Sequence, residues 1–174
     1  MSPIPTAYRE VIDPLIDVAR RIVEEGESLA PVAFAGNLTE RRLQQVMMRA
    51  SSEQAKDESA DLVRRLAAEI GADFVFLIMG AWGLRPDKIE RYEEILEEYG
   101  SIGASPYRID IVAFTLETRH GTWVAQCEVT DGPDAGSEHS FADPEFMMVP
   151  GAEGRFTDLL PPTDDDGAPP RVLH

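Results

Sequence analysis

Glu93, Glu94, Glu97 and Glu98 form the densest group of side chains able to move protons. General acid–base work needs two carboxyls held in a cleft with their pKa values pushed apart. These four fall instead at the spacing of one solvated helical face, so they name no catalytic pair. Three histidines, His120, His139 and His174, stand far apart. Zinc takes three or four clustered nitrogen or sulfur donors, and the single cysteine, Cys127, completes no such set, so no metal site is expected. Cys127 sits within a strand-like run, where a thiol acts as a small hydrophobe, and no base is spaced to activate it. Gly80 and Gly83 flank Trp82 without the lysine or the helix opening that a phosphate loop requires. Asp164, Asp165 and Asp166 are too few to supply the six to eight oxygens calcium takes. No catalytic residue and no cofactor is expected, and the chain reads as non-enzymatic.

One constellation is left. Trp82, between two glycines, reads as cover for the core or, alternatively, as the wall of a pocket with Tyr107 and Arg108. That second reading makes the three of them the candidate ligand-binding residues.

These residues are positioned by segments whose patterns are clear. Ile109 to Thr130 reads as a β-hairpin of β-branched and aromatic residues. Its first run is apolar on both faces, as in an interior strand, while the second alternates, with Trp123, Ala125, Cys127 and Val129 on one side. Glu117 to Thr122, with Gly121, supplies the connection. Asp73 to Met79 is a continuous apolar run, again an interior strand. Before it, Ser52 to Ile70 reads as an amphipathic helix presenting Ala55, Ser59, Leu62, Val63, Leu66, Ala67 and Ile70, with Gly71 as stop. Ser51 and Gln54 have the spacing of a capping box. Pro31 to Ala35 and Leu43 to Met48 read as two short strands around Gly36-Asn37. The N-terminal stripe Tyr8, Val11, Ile12, Leu15, Ile16, Ala19, Ile22 and Val23 reads as a helix that either restarts or kinks at Pro14. It serves as a core-facing helix or a dimerisation helix. After Trp82, Pro86-Asp87 opens a helix with Ile89, Tyr92, Leu96 and Tyr99 inward.

The order is helix, strand, strand, helix, strand, helix, strand, strand. It predicts an α+β fold, with about five mainly antiparallel strands backed by helices, in the order of roadblock and profilin-like domains by analogy. The blocks GADFVFLIMGAW (Gly71 to Trp82) and SPYRIDIVAFTLETRHGTWVAQ (Ser105 to Gln126) resemble a set of small, uncharacterised bacterial and phage proteins. In these an apolar strand ends near Ala-Trp and a Pro-x-Arg segment precedes a hairpin. The resemblance spans residues 29 to 130 and implies a fold unit with no catalytic residues; Arg108 is the one charged position it singles out.

Composition narrows the partners. A net charge of −16 repels nucleic-acid backbones and anionic membranes. No run of about 18 apolar residues and no leader pattern is present, and one cysteine permits no internal disulfide, so a cytoplasmic location is expected. Residues from Asp131 onward hold 10 of the 32 acids, 2 of the 16 bases and seven prolines. This sets a single α+β domain over 1–130 and an acidic tail over 131–174. Phe146 to Val149, Phe156, Leu159 and Leu160 are apolar clusters within that tail, which either docks on the parent domain or a partner, or packs loosely. The functional expectation is a protein-interaction module that binds a protein partner or itself as a homo-oligomer. The alternatives are a small-ligand sensor or minor enzyme with its pocket near Trp82 and Arg108, and an acidic inhibitor mimicking nucleic acid.

Overall fold

The computed structural model describes residues 3–49, 51–130, 140–150 and 159–160. The chain order is α1 (Thr6–Glu24), β1 (Val32–Asn37), β2 (Arg42–Met47), α2 (Glu53–Ile70), β3 (Phe74–Leu84), a 3₁₀ turn (Pro86–Arg91), α3 (Tyr92–Tyr99), β4 (Arg108–Thr118), β5 (Gly121–Glu128) and β6 (Met147–Met148). The strands form one antiparallel sheet in the order β2-β1-β3-β4-β5-β6. The fold is therefore α+β, with an open six-stranded sheet. The sixth strand comes from the acidic tail.

Alternation along the strands divides the core into two layers. Phe74, Phe76 and Ile78 of β3, Val112, Phe114 and Leu116 of β4, and Trp123, Ala125 and Cys127 of β5 pack under α1. The intervening Val75 and Leu77, with Ala33 and Ala35 of β1, pack under α2. β3 is thus buried on both faces, which is why its sequence lacks alternation. β4 differs from the expectation of double cover: its α1 face is buried from Val112 to Thr118, but Ile111, Ala113 and Thr115 opposite are half-exposed. α2 lies over the β1–β2 side and leaves that half of the face open.

Helix α1 is continuous through Pro14, with no restart. The missing Pro14 N–H leaves the Glu10 carbonyl without its helical donor, but both residues are exposed, so water can take the place of the bond. The buried stripe Tyr8, Ile12, Ile16, Ala19 and Val23 runs uninterrupted on the opposite side. Burial raises the Tyr8 phenol above its usual range; Asp73 adds to the rise and Arg119 opposes it.

Helix α2 is capped one residue later than the spacing predicts. Ser52, not Ser51, accepts from the Ala55 amide at 3.0 Å, and alanine at that position supplies no reciprocal bond. Leu62 also departs from the expected face, being 37% exposed, while Ala60 is buried. At the far end Gly71 is left-handed with φ 60°, and Asn37 Nδ2 donates to the Ile70 and Gly71 carbonyls at 3.0 and 2.9 Å. The β1–β2 turn and the helix end are thereby tied together. In α3 the buried side chain is Ile95; Ile89 and Tyr92, expected inward, are exposed. The segment from Pro86 opens as a 3₁₀ turn, and tighter winding rotates the apolar stripe away from its α-helical phase.

The hairpin turn is shorter than Glu117 to Thr122: Thr118 pairs with Gly121 around Arg119-His120. Gly121 has φ 146°, and a Cβ there would sit 2.7 Å from Met148 Cε. Both the backbone and β6 require glycine.

The tail residues seal each layer. Arg20 Nε donates to the Phe141 carbonyl at 3.1 Å, its guanidinium lies 5.0 Å from the Phe141 ring, and Nη2 pairs with Asp143 at 2.8 Å. Phe141 and Phe146 both reach Phe114. On the other face Leu159 is buried among the α2 residues, and the Glu117 carboxylate accepts from the Leu159 and Leu160 amides at 3.0 and 2.7 Å. The expected cluster member Phe156 lies outside the described residues.

Gly36 pairs with Phe74, whose ring occupies the space a Cβ would need. Gly36→Ala should lower stability by about 1–3 kcal/mol through overpacking, read as a reduced denaturation midpoint with an unchanged slope.

Candidate functional site

A concavity lies on the α1 face, where the helix ends and the sheet continues beyond it. α1 stops at Glu24 and Gly26 turns the chain with φ 79°, while β3 and β4 run on to Leu84 and Arg108. The cleft between them has a volume of about 540 Å³ and is half open to solvent. Val23, Glu27 and Leu29 line one side; Trp82, Arg108 and Asp110 line the other.

The segment Gly80-Ala81-Trp82-Gly83 is not a break after the strand but part of β3, which is eleven residues long. Gly83 serves a close approach, since a Cβ there would lie 2.5 Å from the tip of Ile111 at Cδ1, whereas one on Gly80 would make only ordinary contact, 3.5 Å from the Leu29 carbonyl. The expected burial of Trp82 in the core is therefore corrected: the side chain is 62% exposed. α1 has ended before it could cover this position, so the strand carries the indole past the core's edge.

The indole is nevertheless held. Its six-membered ring rests on Gly103, where a Cβ would come within 2.5 Å of Cε3. The Arg108 guanidinium carbon is 5.7 Å from its ring centroid, and Arg108 Nη1 donates to the Gly103 carbonyl at 3.0 Å. Trp82 and Asp110 are directly paired across β3 and β4, with Arg108 on the same face two residues earlier. Two of the three expected ligand-binding residues, Trp82 and Arg108, therefore converge on one cleft. Tyr107 does not join them. It lies in the turn just before β4, where its ring meets Tyr99 edge-on at 6.4 Å and carries Lys88 Nζ at 5.0 Å. The cleft members that sequence reasoning missed are Asp110, Glu27 and Leu29. Asp110 could have been found from its position two residues after Arg108 in the same strand. Glu27 and Leu29 follow a helix end and carry no pattern.

Charge in the cleft is mixed. Glu27, Asp110 and Arg108 all line it, and the carbonyl end of α1 adds partial negative charge. No base and nucleophile are paired there. Among the described residues, no group of three or more His, Cys, Asp and Glu side chains is placed to hold a metal ion. Nor is any helix among them long and apolar enough to cross a membrane. His120 stacks edge-on against Tyr8 at 6.3 Å.

No protein-family model, curated protein or solved structure matches the chain.

Cys127 lies beside the second, shallower concavity, with Asp143 and Glu145. It is 7% exposed, and burial raises its thiol pKa; Arg20 opposes the rise, while Asp143 and Glu145 reinforce it. A raised thiol pKa lowers the thiolate fraction at neutral pH. A disulfide reagent at pH 7 should therefore modify Cys127 only on unfolding, with the burst of reactivity tracking the denaturation curve.

Proposed function

We propose that the protein is a non-enzymatic interaction module that binds a partner polypeptide at the cleft beside Trp82. One observation carries this reading: a tryptophan 62% exposed, yet seated on Gly103 and faced by Arg108. Tryptophan and arginine are the side chains that most often dominate binding energy at protein interfaces. A ring already held against its support loses little conformational freedom when a partner covers it. The mixed charges of Glu27, Asp110 and Arg108 supply polar contacts for a rim.

A second reading, a small-ligand sensor, is favoured by the cleft's volume of about 540 Å³. Ligand pockets commonly enclose roughly 300–1,000 Å³. Its half-open form favours the polypeptide, since a drug-sized ligand is usually buried over most of its surface.

The two readings separate in a paired experiment on the full chain. Peptides selected from a displayed random library should bind the wild-type protein and lose at least about tenfold in affinity, ~1.4 kcal/mol, against Trp82→Ala. The melting temperature of that variant should barely move, because the ring lies outside the core. A parallel thermal-shift screen of metabolites should give no stabilisation that depends on Trp82. Peptides that bind Trp82→Ala equally well would sink the polypeptide reading, and a Trp82-dependent metabolite shift would transfer the cleft to the sensor.

A further inference from the structure

The two edges of the sheet are unlike. β6 ends one side with only two residues, whereas β2 ends the other with six residues in unbroken register against β1. Long regular edges are normally blunted by prolines, charges or bulges. Apart from Arg42 at its first position β2 has none of these, and five of its six residues are exposed. From these features we infer that β2 is a self-association edge, pairing antiparallel with β2 of a second copy across a two-fold axis at Gln45.

The register follows from backbone geometry. Met48 N–H donates to the Pro31 carbonyl at 2.9 Å. Peptide groups alternate in direction along a strand, so residues 42, 44 and 46 also face β1, and Leu43, Gln45 and Met47 turn theirs outward. A two-fold axis at Gln45 places Gln45 opposite itself and Leu43 opposite Met47 of the second copy. All three outward residues of each strand then meet outward residues, closing six backbone hydrogen bonds. Shifting the axis to Gln44 strands Met47 against Arg41, which leaves the strand with φ 56°.

Side chains agree with that register. Leu43 and Met47 are 47% and 55% exposed and share one face. The pairing covers each with the other twice, once on either side of the axis. In the free chain Gln44 Nε2 donates to the Gln45 carbonyl at 3.1 Å, a bond exchanged for the Gln45 amide of the second copy. Charge does not drive the pairing: each copy carries −16, and Glu40 to Arg49 holds three arginines and one glutamate, so the two-fold axis sets like charges across from one another. Arg41 falls opposite Arg49 of the second copy; Arg49 is already balanced by Glu58 at 3.2 Å, and Arg42 by Glu40 at 3.7 Å. A six-residue edge is small beside the roughly 1,200–2,000 Å² that stable interfaces bury, so the dimer should be concentration-dependent. It is independent of the Trp82 cleft.

Sedimentation velocity of the full chain over a wide concentration range should show a monomer–dimer equilibrium. Gln45→Lys, which sets two ammonium groups across the axis, should raise the concentration of half-association at least about tenfold while leaving the circular-dichroism spectrum unchanged. Register is read by mixing Leu43→Cys with Met47→Cys under mild oxidation. Cα atoms of hydrogen-bonded partners lie about 5.5 Å apart, within disulfide reach, so the mixed 43–47 disulfide should outpace both homodimeric products. A monomer at every concentration, a dimer indifferent to Gln45→Lys, or homodimeric disulfides forming as fast as the mixed one would each overturn the assignment.

Discussion

Eleven consecutive residue pairs between β3 and β4, from Phe74 with Thr118 to Leu84 with Arg108, hold the molecule together. Antiparallel register with period two assigns every side chain on these strands to a face. Phe76 stacks on Phe114, ring centroids 5.9 Å apart, beneath α1, while Val75 and Leu77 go to α2. A slip of one residue would send the phenylalanines to the wrong layer. The same register places Trp82, Asp110 and Arg108 on the α1 face beyond the helix end, so the core and the cleft depend on one constraint. The distinction between them is only how far α1 extends.

Polar residues fix what apolar contact leaves loose. Asn37 joins the β1–β2 turn to the end of α2, and Asp73 Oδ2 accepts from the Leu38 amide at 2.7 Å beside it. Ser59, buried on α2, accepts from the Arg49 amide at 2.8 Å and donates to the Arg49 carbonyl at 3.2 Å. These bonds hold α2 against β1 and β2, because the helix face itself is mostly alanine and offers little interlocking shape. That small face also leaves Ile111, Ala113 and Thr115 half-exposed.

Much of the fold was legible because its elements carry strong local signals. The unbroken apolar run at β3, the alternation of β5 and the stripe of α2 mark their elements directly, and the stripe of α1 marks a helix even with Pro14 inside it. Errors fall where tertiary context overrides local pattern. Pro14 looked like a break, but it stands on the solvent side of a helix whose other face is fully engaged. The apolar run ending at Met79 marked the strand, yet Gly80 to Gly83 continue it, with Ile111 close against Gly83. Ile95 was missed because a 3₁₀ turn shifts the helical phase. The candidate site was half legible: Trp82 and Arg108 come together, whereas Tyr107, adjacent in sequence, sits in the turn before β4 and packs against Tyr99. The cleft itself had no sequence signature, since it exists only where one helix ends before the strands beneath it.

The fastening of the acidic segment has a consequence for how the chain matures. Arg20 reaches Phe141 across 121 positions and Ser140 reaches Glu24 across 116, while Leu159 closes the opposite layer. A nascent chain that has emerged only as far as β5 still lacks the groups that cover Phe114 and flank Glu117. Completion of both layers must await synthesis of Phe141 and Phe146 for one and of Leu159 for the other. Contacts of such long span slow folding and prolong the exposure of unsealed apolar surface. In the interval both β2 and β5, which still lacks β6, are open edges of the growing sheet.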